Sequence, residues 1–154
     1  INKPKDCLKV GIIGELYTSM ESFASYDLEM TLAKEHIEIK RFTNLSYLIW
    51  QKVLIKKWIK KKTKKYCKYT LGADGLDNVY RSIFLCKKKY DGIIHIKPFG
   101  CTPEIGAIPI IQKVCEEYNT PIIFFSYDAE TGIEGINTRL EAFKDLLTIR
   151  RKKQ

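Results

Sequence analysis

Residues 90–104 read YDGIIHIKPFGCTPE and combine a predicted strand with the start of a predicted helix. The apolar run over residues 92–97 is introduced by a turn and is typical of a strand buried in a parallel sheet. A tight loop follows at residues 98–101. The Thr-Pro-Glu of residues 102–104 then supplies a hydroxyl N-cap, a proline at the first helical position and an acid in the first turn, which together predict a helix.

The rest of the chain repeats this alternation of strand and helix. Further strands are predicted at residues 8–14, 37–42 and 122–126, the second of them at the sheet edge. Further helices are predicted at residues 22–34, 46–70, 76–88 and 137–151. The alternation predicts an α/β fold, namely a flavodoxin-like three-layer sandwich with a four-stranded parallel sheet in the order 2-1-3-4. The 154 residues fit a single domain, 1–154.

The net charge of +9 comes from one segment. Residues 46–70 hold nine lysines and no acid, whereas the rest of the chain carries 18 basic and 18 acidic residues. This basic helical segment has three interpretations: a solvated outer face over an apolar inner stripe, a docking face for an acidic partner or for coenzyme A phosphates, or a nucleic-acid contact. Nucleic acid is the least favoured, because no known nucleic-acid-binding motif is present.

The five cysteines show no CxxC spacing. This argues against a zinc knuckle, a self-contained iron–sulfur motif and a secreted disulfide framework. Free thiols fit a reducing compartment, no apolar run is long enough to cross a bilayer, and the N-terminus lacks the apolar region of a signal peptide. The expected localisation is therefore cytoplasmic.

A functional site is expected where the strands end. In open parallel sheets, ligands bind beyond the carboxyl ends of the strands, at the point where the strand order reverses. In the predicted topology three loops converge there, at residues 14–17, 99–102 and 126–128.

Cys101 is the leading candidate in these loops, because it directly precedes a predicted helix. The positive end of a helix dipole favours a thiolate, which can ligate a metal or act as a nucleophile, whereas a partly buried structural thiol is the alternative. Gly100 allows the backbone to turn tightly beside a bulky ligand. A cysteine phosphatase needs an arginine six residues after its cysteine to bind phosphate, and this class is excluded because position 107 is alanine. The glycine patterns of dinucleotide-binding folds and of P-loops are also absent. No residue is predicted to be catalytic.

Three further loop residues each have two interpretations. Glu15 and Tyr17 either face a ligand or are ordinary polar loop residues, and Asp128 either orients a ligand or caps its own loop. His95 lies within an apolar strand, which favours a hydrogen-bonded core histidine over a catalytic partner for Cys101.

Three segments resemble motifs of the 2-hydroxyacyl-CoA dehydratase superfamily. Residues 10–17, VGIIGELY, are similar to its "VGIVGEIY" opening, residues 91–104 resemble its "DGVIHxxPFxCMPE" segment, and residues 138–147 resemble its "TRLEAFxDLL" ending. They occur in the family's order, and the most similar branch is that of the activase-associated proteins. The chain departs from the pattern at Thr102, where methionine is usual, at residues 71–75, which replace a Gly-His segment, and in its lysine-rich insert.

The resemblance implies that Cys101 is one of three thiolates that hold a [4Fe–4S] cluster. The candidates for contact with this cofactor are Gly100, Thr102, Glu15, Tyr17 and Asp128. The family's other two cysteines lie upstream, so this chain is expected to be the C-terminal part of a longer protein and to bind no stable cluster alone. The implied function is cluster support for ATP-linked, low-potential electron transfer, in which an activator injects one electron for the radical dehydration of a 2-hydroxyacyl-CoA.

The resemblance also implies partners. They are an ATP-dependent activator domain or protein, the upstream domain that carries the other cluster cysteines, an acyl-CoA, and a second copy of the chain in a homodimer. Nucleic acid and membrane are not expected. The alternative function is a flavodoxin-like binding module without a cluster, which docks a partner through its basic helix.

Overall fold

The computed structural model describes residues 7–42 and 56–153. These residues form the strands β1 (Lys9–Gly14), β2 (Glu38–Arg41), β3 (Gly92–Pro98) and β4 (Ile122–Tyr127). They also form the helices α1 (Leu16–Met20), α2 (Leu28–Lys34), α3 (Lys56–Thr63), α4 (Gly75–Lys87), α5 (Thr102–Glu117) and α6 (Ile133–Lys152). A short 3-10 helix, Phe23–Ser25, lies between α1 and α2.

All four strands run parallel, in the order β2-β1-β3-β4. The predicted strand order is confirmed, and β2 lies at an edge as expected. β1 and β3 are central and almost entirely buried, which explains why their sequences are apolar runs without polar alternation.

Apolar helix faces cover both sides of the sheet. α2 and α6 pack on one face through Leu28, Leu32, Leu140 and Leu147. α4 and α5 pack on the other face through Val79, Ile83, Ile111 and Val114. This arrangement confirms the flavodoxin-like three-layer sandwich. Within residues 7–42 and 56–153, no helix has the length and apolar character needed to span a membrane.

The helix predicted over residues 22–34 is shorter than expected. Tyr26 and Asp27 adopt left-handed backbone conformations, with φ of 52° and 51°, and such residues interrupt a helix. α2 therefore begins only at Leu28, and α1 and the 3-10 helix precede the interruption.

The predicted basic helical segment, residues 46–70, is described only from Lys56 onward, and its residues 46–55 lie outside the described residues. In the described part the helix ends at Thr63 and does not reach residue 70. Ile59 is buried, whereas the lysines of α3 are exposed. Trp58 is 46% exposed and packs edge-on against Tyr80.

Candidate functional site

The loops that follow β1, β3 and β4 lie side by side at the carboxyl edge of the sheet. The Glu15 amide donates to the Ile96 carbonyl (3.0 Å), and the Phe99 amide donates to the Tyr127 carbonyl (2.9 Å). Gly14 makes the first contact possible, because its φ is 145° and a Cβ there would lie 1.8 Å from the Ile96 carbonyl oxygen. The loop after β1 therefore contacts the end of β3, and the loop after β3 contacts the end of β4.

Cys101 is the N-cap of α5, with φ −70° and ψ 95°. Its carbonyl accepts the amide of Ile105 at 2.9 Å, its own amide donates to the Pro98 carbonyl at 3.2 Å, and its thiol is half-buried. The prediction that Thr102 is the N-cap is wrong. The Cys101 carbonyl already accepts the first helical hydrogen bond, so Thr102 is the first helical residue and its hydroxyl caps nothing.

A buried polar network ties the start of α5 to β1, β3 and α4. Asn78 donates from its side-chain amide to the Gly14 carbonyl and to one Glu104 oxygen, each at 2.8 Å. The Asn78 oxygen accepts from Arg81 at 2.8 Å, and the other Glu104 oxygen lies 2.7 Å from His95 Nε2. The four side chains are at most 1% exposed.

The network makes the position of the Cys101 loop sensitive to single side chains. Buried charges are costly unless they are paired and hydrogen-bonded, and here Asn78 links the Arg81 cation to the Glu104 carboxylate. His95 is the core histidine that the sequence predicted. The Nδ1 atom of His95 has no hydrogen-bond partner among the described residues. The tautomer with hydrogen on Nε2 is favoured, because it leaves Nδ1 as an unpaired acceptor rather than as an unpaired donor.

Sequence reasoning did not identify this network. Glu104 had been interpreted only as the acid of a helical first turn, and Asn78 and Arg81 belong to no motif. The available signal was the spacing of these two polar residues on α4. They lie three positions apart and share one helix face with the apolar Leu85, which follows Arg81 by four positions, so this face is expected to point inward.

Lys97 is a second functional candidate that the sequence did not single out, because it ends an apolar strand. It is only 5% exposed, and its ammonium donates to the carbonyl of Phe99 at 3.0 Å and to that of Pro98 at 3.4 Å. The ammonium also lies 5.9 Å from the centre of the Phe99 ring. The loop before Cys101 therefore carries a fixed positive charge in addition to the positive end of α5.

Two of the predicted site residues have local structural contacts. Glu15 is the N-cap of α1, where its two carboxylate oxygens accept the amides of Tyr17 and Thr18, each at 2.9 Å. Asp128 accepts the amide of Glu130 at 3.0 Å within its own loop. These contacts match the loop-structure interpretation of each residue.

The other three predicted residues are exposed. Gly100 and Thr102 flank Cys101, and a Cβ on Gly100 would have no atom within 4 Å. Tyr17 instead lines a cavity that also includes Asp128 and that does not include Cys101. The predicted residues thus divide between two neighbouring places on the same edge.

The donor atoms present fit one ligand of a cluster and not a complete cluster site. Cys101 offers one thiolate, and the part of the chain that the structure describes contains no group of three or more His, Cys, Asp or Glu residues suited to a metal ion. Glu104 and His95, the nearest candidates in sequence, are occupied in the buried network. A [4Fe–4S] cluster requires further ligands from elsewhere.

Fold and site together define a flavodoxin-like α/β domain with a half-buried thiol at the carboxyl edge of a central strand. The family model described as "2-hydroxyglutaryl-CoA dehydratase, D-component" matches residues 56–147, more than half of the chain. The chain therefore belongs to this dehydratase family, which confirms the resemblance seen in its motifs. Searches of curated proteins and of solved structures found no significant match.

Proposed function

We propose that Cys101 supplies one ligand to a [4Fe–4S] cluster and that the domain thereby supports ATP-linked, low-potential electron transfer in a 2-hydroxyacyl-CoA dehydratase or activase-related protein. The position of Cys101 carries the proposal, since this half-buried residue is the N-cap of a 16-residue helix in the loop that follows the central strand β3. The family match includes this loop. When bound, such a cluster supplies single electrons at low potential.

In this proposal the chain's own residues hold the thiolate and keep its surroundings rigid. The start of α5 and the buried Lys97 ammonium provide positive charge on the loop. The network around Glu104 fixes the first turn of α5 against β1 and β3. A Cβ on Gly100 would meet open space, and Thr102 is the first residue of α5, so both neighbours of Cys101 in the chain are exposed.

The remaining cluster ligands come, in this proposal, from an upstream part of a longer protein or from a partner protein. An ATP-dependent activator delivers the electron, and an acyl-CoA is the substrate of the assembled cytoplasmic enzyme. The family description names one component of a dehydratase, which supports the need for a partner.

The test is the iron and sulfide content of the longest natural gene product, purified without oxygen. Cys101→Ser is compared with Cys67→Ser, which alters another partly exposed cysteine in a different part of the fold. We expect Cys101→Ser to lose most of the iron and the visible absorption of the cluster, while Cys67→Ser retains both. Equal iron content in the two variants, or no iron in the unaltered protein, would overturn the proposal.

The exposed lysines of α3 favour a second candidate function, in which the domain is a binding module without a cluster. Lys56, Lys57, Lys60 and Lys61 are all exposed on this short helix. Replacing these four with glutamine should abolish copurification of the natural partner, and replacing the exposed Lys87, Lys88 and Lys89 should not. If the domain is such a binding module, Cys101→Ser leaves the copurification of the natural partner unchanged.

A further inference from the structure

The cavity that Tyr17 and Asp128 line has a volume of about 550 Å³. It opens at the carboxyl edge of the sheet, on the face covered by α2 and α6. Its wall includes the last residues of β3 and β4, parts of α1 and α2, and the start of α6. Its volume lies in the usual range for small-molecule sites. The cluster-binding role proposed for Cys101 does not account for this cavity.

Four aromatic side chains line the cavity: Tyr17, Phe23, Tyr26 and Tyr127. Phe23 is 88% exposed and Tyr17 is 66% exposed, so both aromatic rings present apolar surface to the solvent. Tyr26 and Tyr127 stack with their ring centres 5.7 Å apart. Rings presented in this way gain free energy when a flat ligand covers them, because stacking buries both ring faces.

The hydroxyl of Tyr127 lacks a partner. This residue is only 7% exposed, and its hydroxyl has no hydrogen bond within residues 7–42 and 56–153. The neighbouring Tyr26, by contrast, donates its hydroxyl to the Thr131 carbonyl at 3.2 Å. Burial raises the pKa of Tyr127, so its hydroxyl keeps its proton at neutral pH. A buried hydroxyl without a partner is costly, and a ligand in this cavity can supply the missing partner.

The charges around the cavity limit what the ligand can carry. Asp27 and Asp128 contribute two carboxylates, and Lys34 contributes one ammonium group. The Arg139 guanidinium also acts on Tyr127, so these charges balance and leave no net positive charge to hold a phosphate or carboxylate inside the cavity. Asn137 adds an amide that can both donate and accept hydrogen bonds.

We infer that this cavity binds a neutral heteroaromatic ring of the purine type, stacked on the exposed Tyr17 and Phe23 rings and hydrogen-bonded to Tyr127. Purine nitrogens are acceptors for the Tyr127 hydroxyl, and the ring carries no charge. The inference goes beyond the proposed role of Cys101 and does not depend on it.

The test uses adenosine as the probe and saturation-transfer NMR on the full chain, followed by titration. Tyr127→Phe keeps the ring and removes only the hydroxyl, so we expect adenosine to bind about three- to tenfold more weakly, as for the loss of one hydrogen bond. The same variant should have an unchanged or higher Tm, because it removes a buried hydroxyl without a partner. Weaker binding then cannot result from unfolding.

A matched pair of variants tests the stacking surface. Phe23→Ala should weaken adenosine binding, whereas Phe99→Ala, which removes a ring that is 67% exposed outside the cavity, should not. Cys101→Ser should bind adenosine normally, which separates this inference from the cluster proposal. Absence of saturation transfer to adenosine, equal binding by Tyr127→Phe and the unaltered chain, or tighter binding of adenosine monophosphate than of adenosine would each overturn it.

Discussion

The Glu104 carboxylate connects three parts of the fold through two short hydrogen bonds, to Asn78 on α4 and to His95 on β3. Removing one member of a buried charged network leaves the others without partners. We therefore expect Glu104→Ala to lower the free energy of unfolding by about 3–5 kcal/mol. Urea denaturation measures this change.

Glu116→Ala is the matched control, because Glu116 lies on the same helix and is exposed. It should change the free energy of unfolding by less than about 0.5 kcal/mol. Similar losses in the two variants would show that the network does not stabilise the start of α5.

The two loop glycines differ in what a methyl group would meet. At Gly14 a Cβ would lie 1.8 Å from the Ile96 carbonyl oxygen, and φ is 145°. At Gly100 a Cβ would have no atom within 4 Å. Gly14→Ala should therefore lower the free energy of unfolding by about 1–3 kcal/mol or more, whereas Gly100→Ala should be nearly neutral in urea denaturation. A neutral Gly14→Ala variant would contradict the observed close approach of Gly14 to the Ile96 carbonyl of β3.

At the scale of elements, the end of α5 is joined to the basic segment by Glu117. Its carboxylate accepts from the Tyr66 hydroxyl at 2.8 Å and also pairs with Lys65. Burial, together with the hydrogen bond to Glu117, raises the pKa of Tyr66 from 10.0 to about 12. The folded state thus holds the phenol proton more tightly than the unfolded state does.

This shift predicts a pH dependence with a definite sign. The contribution of Tyr66 to stability is fully present below pH 10 and is lost as the pH rises from 10 to about 12. The unaltered chain should lose more stability over this interval than Tyr66→Phe does, as measured by chemical denaturation at each pH. Tyr69→Phe, which alters a tyrosine that is 82% exposed, should behave like the unaltered chain.

The sequence predicted those strands and helices that carry a local, repeated pattern of apolar residues. β1 and β3 were recognisable because strands buried on both faces are continuous apolar runs, and their order follows from right-handed crossovers. α1 was missed because five residues carry too little periodicity, and its start depends on the cap that Glu15 provides. The predicted cap at Thr102 was wrong because the carbonyl of any residue can accept the first helical hydrogen bond, so residue preferences fixed the helix start only to within one residue.

The candidate site was predictable in position and only partly in composition. The rule that ligands bind beyond the carboxyl ends of parallel strands located Cys101 correctly at that edge. The Glu104 network and the unpaired Tyr127 hydroxyl depend on contacts between residues far apart in the chain, such as Asn78 with Gly14. Such contacts leave no local pattern in a single sequence.

At the scale of the whole molecule, Cys86 and Cys115 connect the interior of α4 with that of α5. Both are buried, and the hydrogen bond to Cys86 together with burial raises the pKa of Cys115. The same hydrogen bond lowers the pKa of Cys86, so protection of Cys86 rests on its burial. We expect neither thiol to react with iodoacetamide at pH 8 until the chain unfolds, because the core excludes the reagent from both. Labelling followed by mass spectrometry across a urea series should show both reacting at the unfolding midpoint, and labelling of either in native conditions would contradict the packing of α4 on α5.

The edge strand β4 is partly covered by α6. Arg139 donates to the Phe124 carbonyl at 2.7 Å, and its guanidinium carbon lies 4.8 Å from the centre of the Phe125 ring. A helix that covers an edge strand hinders unwanted pairing with another strand. The opposite edge, β2, ends next to residues 43–55, which are outside the described part of the chain.

The most direct test of the account is the accessibility of Cys101 in the longest natural gene product, purified without oxygen. Iodoacetamide labelling and mass spectrometry compare Cys101 with Cys67 before and after iron is removed by a chelator. If Cys101 ligates a cluster, it should be protected until the iron is removed, while Cys67 should react equally in both states. Equal labelling of Cys101 with and without iron would contradict a role in cluster binding.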